Sequence, residues 1–145
     1  MRKESKISGM NEVMRNLNAE IQAIKGRSAN GLIQAGMLVR RDMEVTPPVI
    51  PVDTGNLRAS WFTTLIRNLN LVGLTLGFSA NYAVFVHENV GADFVTPRWR
   101  YDKKRKKRKY WYTPREGAGA KFFESALKNN KDNILKIIRD NAKIQ

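Results

Sequence analysis

The sequence predicts an α+β domain, with N-terminal helices and a long C-terminal helix packed on a small antiparallel sheet. Three observations lead to this class. Apolar residues recur at helical spacing near both ends of the chain, two β-rich runs follow one another in the middle, and 42% of the 145 residues are apolar. That apolar content suffices for one modest core, so residues 1–145 are expected to form a single domain.

The first third of the chain predicts two helices. Gly26 suits the end of the first helix and Ser28 the N-cap of the second. Thr46-Pro47-Pro48 is expected to end the second helix, because proline lacks a backbone donor and disfavours the α region in the residue before it. The apolar stripe of the first helix, which predicts either core packing or a subunit interface, consists of Met10, Val13, Leu17, Ile21 and Ile24.

The middle of the chain predicts an antiparallel hairpin. Its strands are expected at residues 59–66, which are rich in aromatic and β-branched side chains, and at residues 71–78. Gly73 and Gly77 in the second run indicate either a bulge or a close approach of the backbone. Residues 81–88 fit a strand and a short helix equally well.

The chain ends in a predicted helix at residues 120–142. Its apolar residues recur every three or four positions, which places them on one side of the helix. This stripe is expected to belong to the core and comprises Phe122, Phe123, Ala126, Leu127, Ile134, Leu135 and Ile138.

The positive charge of the chain is concentrated in one segment. The formal net charge is +13, and the window 98–115 holds ten Lys or Arg against one acid, Asp102, which gives +9 there. The window lies in a long polar segment, residues 91–117, that reads as an insertion in the domain. At its centre are seven consecutive cations: Lys103, Lys104, Arg105, Lys106, Lys107, Arg108 and Lys109.

Aromatic residues flank the seven cations, and this pattern predicts a hairpin-like arm. Trp99-Arg100-Tyr101 and Tyr110-Trp111-Tyr112 are its expected strands. Cations interleaved with aromatic rings suit phosphate contact and base stacking, but they also suit docking on an acidic protein surface, and a solvated loop is the simplest alternative. The residues expected to contact DNA or an acidic partner are Arg98, Arg100, the seven cations 103–109 and Trp111.

No catalytic, metal or cofactor site is expected. The chain has no cysteine and one histidine, His87, so thiolate chemistry and a His-Glu-x-x-His zinc site are excluded. No Ser/His/Asp set can be argued from that lone histidine. Asp53-Thr54-Gly55 matches the catalytic triplet of dimeric aspartic proteases. However, Pro51 and Asn56 replace the apolar and small residues that such a site needs, so a turn is favoured.

The sequence holds no apolar run near the roughly 20 residues that cross a bilayer, and no secretion signal. We therefore expect a protein that is made in a cytoplasm, or packed into a particle assembled there, with no membrane partner.

Three segments in order resemble one family. Residues 51–60 are similar to the "P-x-D-T-G-x-L-R-x-S" signature of head–tail joining proteins of long-tailed bacteriophages. Residues 82–88 are similar to the family's "Y-A-x-x-V-E-x-G" segment, and residues 119–127 to the aromatic start of its last helix. The resemblance spans residues 11–138. The basic insertion departs from the family, which has a short glycine-containing loop there.

The resemblance implies a non-enzymatic virion protein of the phage neck, assembled in the host bacterial cytoplasm. It implies a ring, a hexamer or otherwise a dodecamer, between a head-closure or portal-side protein and the tail terminator or tail tube, with genomic DNA in its channel. A tail-terminator ring and a sequence-nonspecific nucleic-acid-binding protein are the alternatives. Five residues of the signature are expected to have structural roles. Asp53, Thr54 and Gly55 are expected to fix a turn. Leu57 is expected to anchor the hairpin, and Arg58 to pair with an acid or a neighbouring subunit.

Overall fold

The computed structural model describes residues 9–69, 71–102 and 108–143 of the chain. The described residues form, in order, α1 (Met10–Val45), α2 (Asn56–Ala59), β1 (Trp61–Arg67), β2 (Val72–Phe78), α3 (Ala83–Glu88), β3 (Arg98–Asp102), β4 (Arg108–Tyr112), α4 (Phe122–Asn129) and α5 (Lys131–Ala142). β1 pairs with β2 and β3 with β4, both antiparallel. Helices combined with small antiparallel sheets confirm the predicted α+β class.

The prediction of two N-terminal helices is wrong, because α1 runs unbroken through Gly26 and Ser28. A glycine inside a helix costs only about 1 kcal/mol relative to alanine. The packing of the following turns against α5 and β2 outweighs that cost. Pro47 and Pro48 stop the helix as predicted: α1 ends at Val45, and Thr46 has the extended backbone that a following proline requires.

Only the C-terminal half of α1 packs on the rest of the domain. Its buried residues are Ala29, Gly31, Ala35, Gly36, Val39 and Met43. A Cβ built on Gly31 would lie 2.9 Å from Asn141 Cβ and 3.3 Å from Ile138 Cα, so α1 and α5 come unusually close at this glycine. The N-terminal half of α1 extends beyond this contact.

The β1–β2 hairpin confirms the prediction for the middle of the chain. Its ladder runs without a bulge from Trp61 opposite Phe78 to Arg67 opposite Val72. The first strand begins two residues later than predicted because the single-turn helix α2 occupies residues 56–59. Gly77 marks a close approach: the ring of Phe62 on the opposite strand lies where a Cβ would be.

The core lies between α1, the hairpin and the C-terminal helices. Its buried residues are Val39, Met43, Ile50, Leu57, Ala83, Phe122 and Ala126. Phe122 is 1% exposed and packs edge-to-face against Phe78, with ring centroids 5.7 Å apart. Trp61 packs edge-to-face against both Phe78 and Phe123. These rings join the hairpin to the start of α4.

The C-terminal segment contains two helices where one was predicted. The helix is interrupted at Asn130, a buried residue with φ −105° and ψ 7°. Its side-chain Nδ2 donates a hydrogen bond to Ala126 O at 2.9 Å, so the amide competes with the backbone for the same carbonyl that ends α4. The ambiguous segment 81–88 contains the short helix α3 and no strand.

A glycine-lined bridge joins the end of α1 to the segment before α4. Val49 N donates to Gly117 O at 2.9 Å, and Gly119 N donates to Val49 O at 3.3 Å. Gly117 has φ +71°, and a Cβ there would lie 2.9 Å from Pro47 Cγ. Glycine is required at this position both for its backbone angle and for its contact.

Replacing either of two glycines of α1 with alanine should change the free energy of unfolding, but in opposite directions. Gly26→Ala is expected to raise the free energy of unfolding by about 0.5–1 kcal/mol, since nothing lies within 4 Å of the new methyl group. Gly31→Ala should lower it by about 1–2 kcal/mol, because α5 must move away. Urea unfolding of both variants would measure this, and equal effects would contradict the close contact of α1 with α5.

Candidate functional site

The basic segment forms the predicted two-stranded arm. β3 and β4 pair from Arg98 opposite Tyr112 to Asp102 opposite Arg108, so both expected aromatic flanks lie in strands. We call β3 and β4 together the basic hairpin. Residues 103–107, between the two strands in the sequence, lie outside the described residues.

Two exposed tryptophans face one another across the basic hairpin. Trp99 and Trp111 occupy directly opposed positions, and their rings meet edge-to-face with centroids 5.3 Å apart. Trp99 is 64% exposed and Trp111 is 53% exposed. Aromatic surface that stays in water is available to a flat ligand or to a partner protein.

The opposite face of the basic hairpin anchors it to residues 53–58 of the signature, which we call the signature turn. The Arg100 guanidinium forms an ion pair with Asp53 and lies 4.4 Å from the ring centroid of Tyr112. The Tyr112 hydroxyl donates to Val52 O at 2.7 Å. Burial raises the pKa of Tyr112, and the charge of Asp53 raises it further. The phenol thus remains a neutral donor that holds the base of the hairpin.

Arg98 is also engaged within the chain. Its guanidinium donates to Asp93 O at 3.0 Å and lies 3.5 Å from the Asp93 carboxylate. That carboxylate accepts backbone hydrogen bonds from Thr96 and Val95, which lower its pKa. The loop before β3 is therefore a hydrogen-bonded turn that ends at the hairpin.

The predicted contact residues fall into three groups. Arg98 and Arg100 hold the base of the hairpin through acids of the same chain, whereas Trp111 presents an exposed ring. Arg108 and Lys109 begin β4. Lys103, Lys104, Arg105, Lys106 and Lys107 lie outside the described residues. The surface open to a partner is thus the tryptophan pair, with Arg108 and Lys109 of β4 as its neighbours in the chain.

Three residues of the signature, Gly55, Leu57 and Arg58, have defined positions and contacts in the fold. Gly55 takes a left-handed conformation with φ 81° immediately before α2. Leu57 is buried in the core, and the exposed Arg58 donates from Nε to Glu44 Oε1 at 2.8 Å. Asp53, Thr54 and Gly55 line an open cleft of about 330 Å³ together with Arg100 and Tyr112.

Glu44, which was not predicted from the sequence as a site residue, is the centre of an ion-pair cluster. Its carboxylate accepts from Arg115 Nη1 at 2.6 Å and Arg40 Nη2 at 2.8 Å, as well as from Arg58. Burial opposes ionisation of Glu44, but the hydrogen bonds from Arg58 and Arg115 outweigh it and lower the pKa of the carboxyl. The i,i+4 spacing of Arg40 and Glu44 was visible in the sequence, whereas nothing there pointed to Arg115.

The single histidine is held by structural contacts. His87 Nδ1 lies 2.7 Å from Glu88 Oε1, and Nε2 accepts a hydrogen bond from Glu124 N at 3.3 Å. Its ring packs edge-to-face on Phe122. Within residues 9–69, 71–102 and 108–143, no group of three or more His, Asp or Glu side chains is placed to hold a metal ion.

Comparisons of the chain with protein-family models, with curated proteins and with solved structures found no match. Among the described residues, no helix combines the length and apolar character that a membrane span requires.

The Glu44 cluster should make folding sensitive to acid. Because the pKa of Glu44 is lowered in the folded chain, its stabilising effect is present above the ordinary value of about 4.5 and is lost as pH falls through the folded pKa. We expect Glu44→Gln to lower the free energy of unfolding at pH 7 by roughly 2 kcal/mol, since three arginines lose a charged acceptor.

Urea unfolding between pH 3 and 7 would measure this effect. The difference between the wild-type chain and Glu44→Gln should shrink toward the acid end of that range. Glu12→Gln, at an exposed glutamate near the start of α1, serves as the matched control. A difference that stays constant with pH would contradict the assigned role.

Proposed function

We propose that this chain is a structural subunit of the neck of a long-tailed bacteriophage, where it forms a ring that joins the DNA-filled head to the tail. The observation that carries the proposal is the meeting of the three family-like segments in one core cluster. Leu57 comes from the first segment, Ala83 from the second and Phe122 from the third. Residues that build a shared scaffold are those that an assembly protein needs to retain.

Exposed apolar surface supports an assembly role. Large apolar side chains remain in water along the N-terminal half of α1, on the β1–β2 hairpin, on α3 and on the basic hairpin. Contiguous apolar surface on a small chain is typical of proteins that bury it against other subunits. The expected partners are other copies of this chain, with six copies favoured over twelve, and the proteins on either side of the ring.

The neighbours in the proposed neck are a head-closure or portal-side protein and the tail terminator or tail tube. The basic hairpin would contribute charge complementarity to one of these contacts or to DNA in the channel. A tail-terminator ring is the nearest alternative, because such rings share the implied architecture and differ in where they bind.

A sequence-nonspecific nucleic-acid-binding protein is the second candidate. One observation favours it: Trp99 and Trp111 stay exposed next to the run of seven cations. Stacking of bases on such rings and contact of phosphates with lysine and arginine would together bind a single strand.

Disabling the gene in its phage tests the proposed function. DNA-filled heads and complete but unattached tails should accumulate in the lysate, and electron microscopy would count them. Tails of uncontrolled length would identify a terminator. Normal infectious particles would refute the structural role and promote the nucleic-acid candidate.

Neutralising the basic run separates the two candidates. Seven serines in place of residues 103–109 keep the hairpin length but remove the charge. Under the neck proposal the purified chain should keep its oligomeric state, as measured by light scattering. Under the nucleic-acid candidate, affinity for mixed-sequence single-stranded DNA should fall at least tenfold and the salt dependence should become shallower. Loss of the oligomer would contradict a peripheral role for the basic hairpin.

A further inference from the structure

The N-terminal half of α1 exposes an apolar stripe that the domain leaves uncovered. Along α1, buried residues begin only at Ala29, and Lys25 already reaches the tip of the β1–β2 hairpin by donating to Leu69 O. Residues 10–24 precede these contacts. Four apolar side chains of this segment are between 39% and 51% exposed: Met10, Met14, Leu17 and Ile21.

The stripe follows a heptad repeat. With Met14 counted in place of the neighbouring Val13, its residues are spaced by four, three, four and three positions, in the order Met10, Met14, Leu17, Ile21 and Ile24. This is the alternation of d and a positions that forms the seam of a two-stranded coiled coil. The average step of 3.5 residues keeps the side chains on one line along a partner helix, whereas a stripe that faces a globular core is usually broader.

The charges beside the stripe suit a parallel partner with the same sequence. With Met14 and Ile21 at a positions, Glu20 occupies a g position and Lys25 the next e position. In a parallel pair, Glu20 of one helix therefore faces Lys25 of the other, in both directions. An antiparallel pair would set Glu20 against Glu20 or against the apolar Val13. Glu20 already accepts from Arg27 at 2.7 Å within the chain, so this contact selects orientation more than it adds affinity.

A lipid surface is a poorer occupant for this segment. Between residues 10 and 25, Glu12 and Glu20 balance Arg15 and Lys25, so the net charge is zero. Amphipathic helices that bind anionic membranes carry an excess of lysine and arginine on their polar face. The repeat and the charge balance both favour a protein helix of matching pattern.

We infer that residues 10–24 of α1 pair in parallel with the same segment of a second copy of this chain. A free helix of two heptads is marginal in water, but here the helix is continuous with a half that is already anchored in the domain, so pairing does not have to nucleate it. The inference does not rest on the neck assignment, because it concerns the isolated chain.

The first test measures self-association of the full chain by sedimentation equilibrium. Leu17→Glu combined with Ile21→Glu should raise the dissociation constant for self-association at least tenfold, since charges enter the seam. Val90→Glu changes an exposed apolar residue away from the stripe and should leave association unchanged. Circular dichroism confirms that each variant is folded. Unchanged association of the double variant would overturn the inference.

The second test fixes the orientation and uses the absence of cysteine from the chain. In a parallel pair of Met10→Cys chains, the two cysteines lie side by side and should form a disulfide-linked dimer under mild oxidation. In an antiparallel pair, the two cysteines would be about 21 Å apart. Glu12→Cys, on the polar side of the same turn, is the matched control. Lack of cross-linking at Met10 would overturn parallel pairing, whereas normal particles from the gene-disabled phage would overturn only the neck function.

Discussion

Burial of Phe122 is the interaction on which the rest of the fold depends. Its ring packs on Phe78 of β2 and on His87 of α3, in a core that α1 completes with Met43. Elements that are distant in sequence thus share one apolar centre, and the free energy of that burial orders the helices and hairpin relative to one another. Replacing so enclosed a ring with a small side chain would leave a cavity bordered by all of these elements.

Ion pairs fix the orientation of the structural elements that surround the core. Glu44 draws Arg58 of the signature turn and Arg115 of the segment before α4 to the end of α1. Asp53 and Arg100 connect that same turn to the basic hairpin. The signature turn is therefore the joint between the core of the domain and the basic hairpin. The ion pairs of this turn orient the basic hairpin more than they stabilise the fold, since partly exposed ion pairs are individually weak.

The fold class and both hairpins could be predicted because each depends on local pattern. β-branched and aromatic runs that flank a turn favour pairing with the nearest neighbour. The errors have two causes, tertiary packing that carries a helix through a glycine and a side chain that bonds to a carbonyl of its own helix. Gly26 did not end α1, whereas Asn130 broke the C-terminal helix through its own side chain. The pairs of Glu44 with Arg115 and of Asp53 with Arg100 could not be predicted, because ion pairs between residues 71 and 47 positions apart leave no periodic signal.

The late position of Phe122 in the chain has a consequence for synthesis on the ribosome. Met43 and Ile50 are translated long before the ring that covers them, and chains grow from the N-terminus at roughly 5–20 residues per second. The nascent chain therefore spends several seconds with an unfinished core. Closure of the core must wait until Phe122 has been translated, so a product that stops before this residue would lack the ring that closes the core and would be exposed to proteolysis.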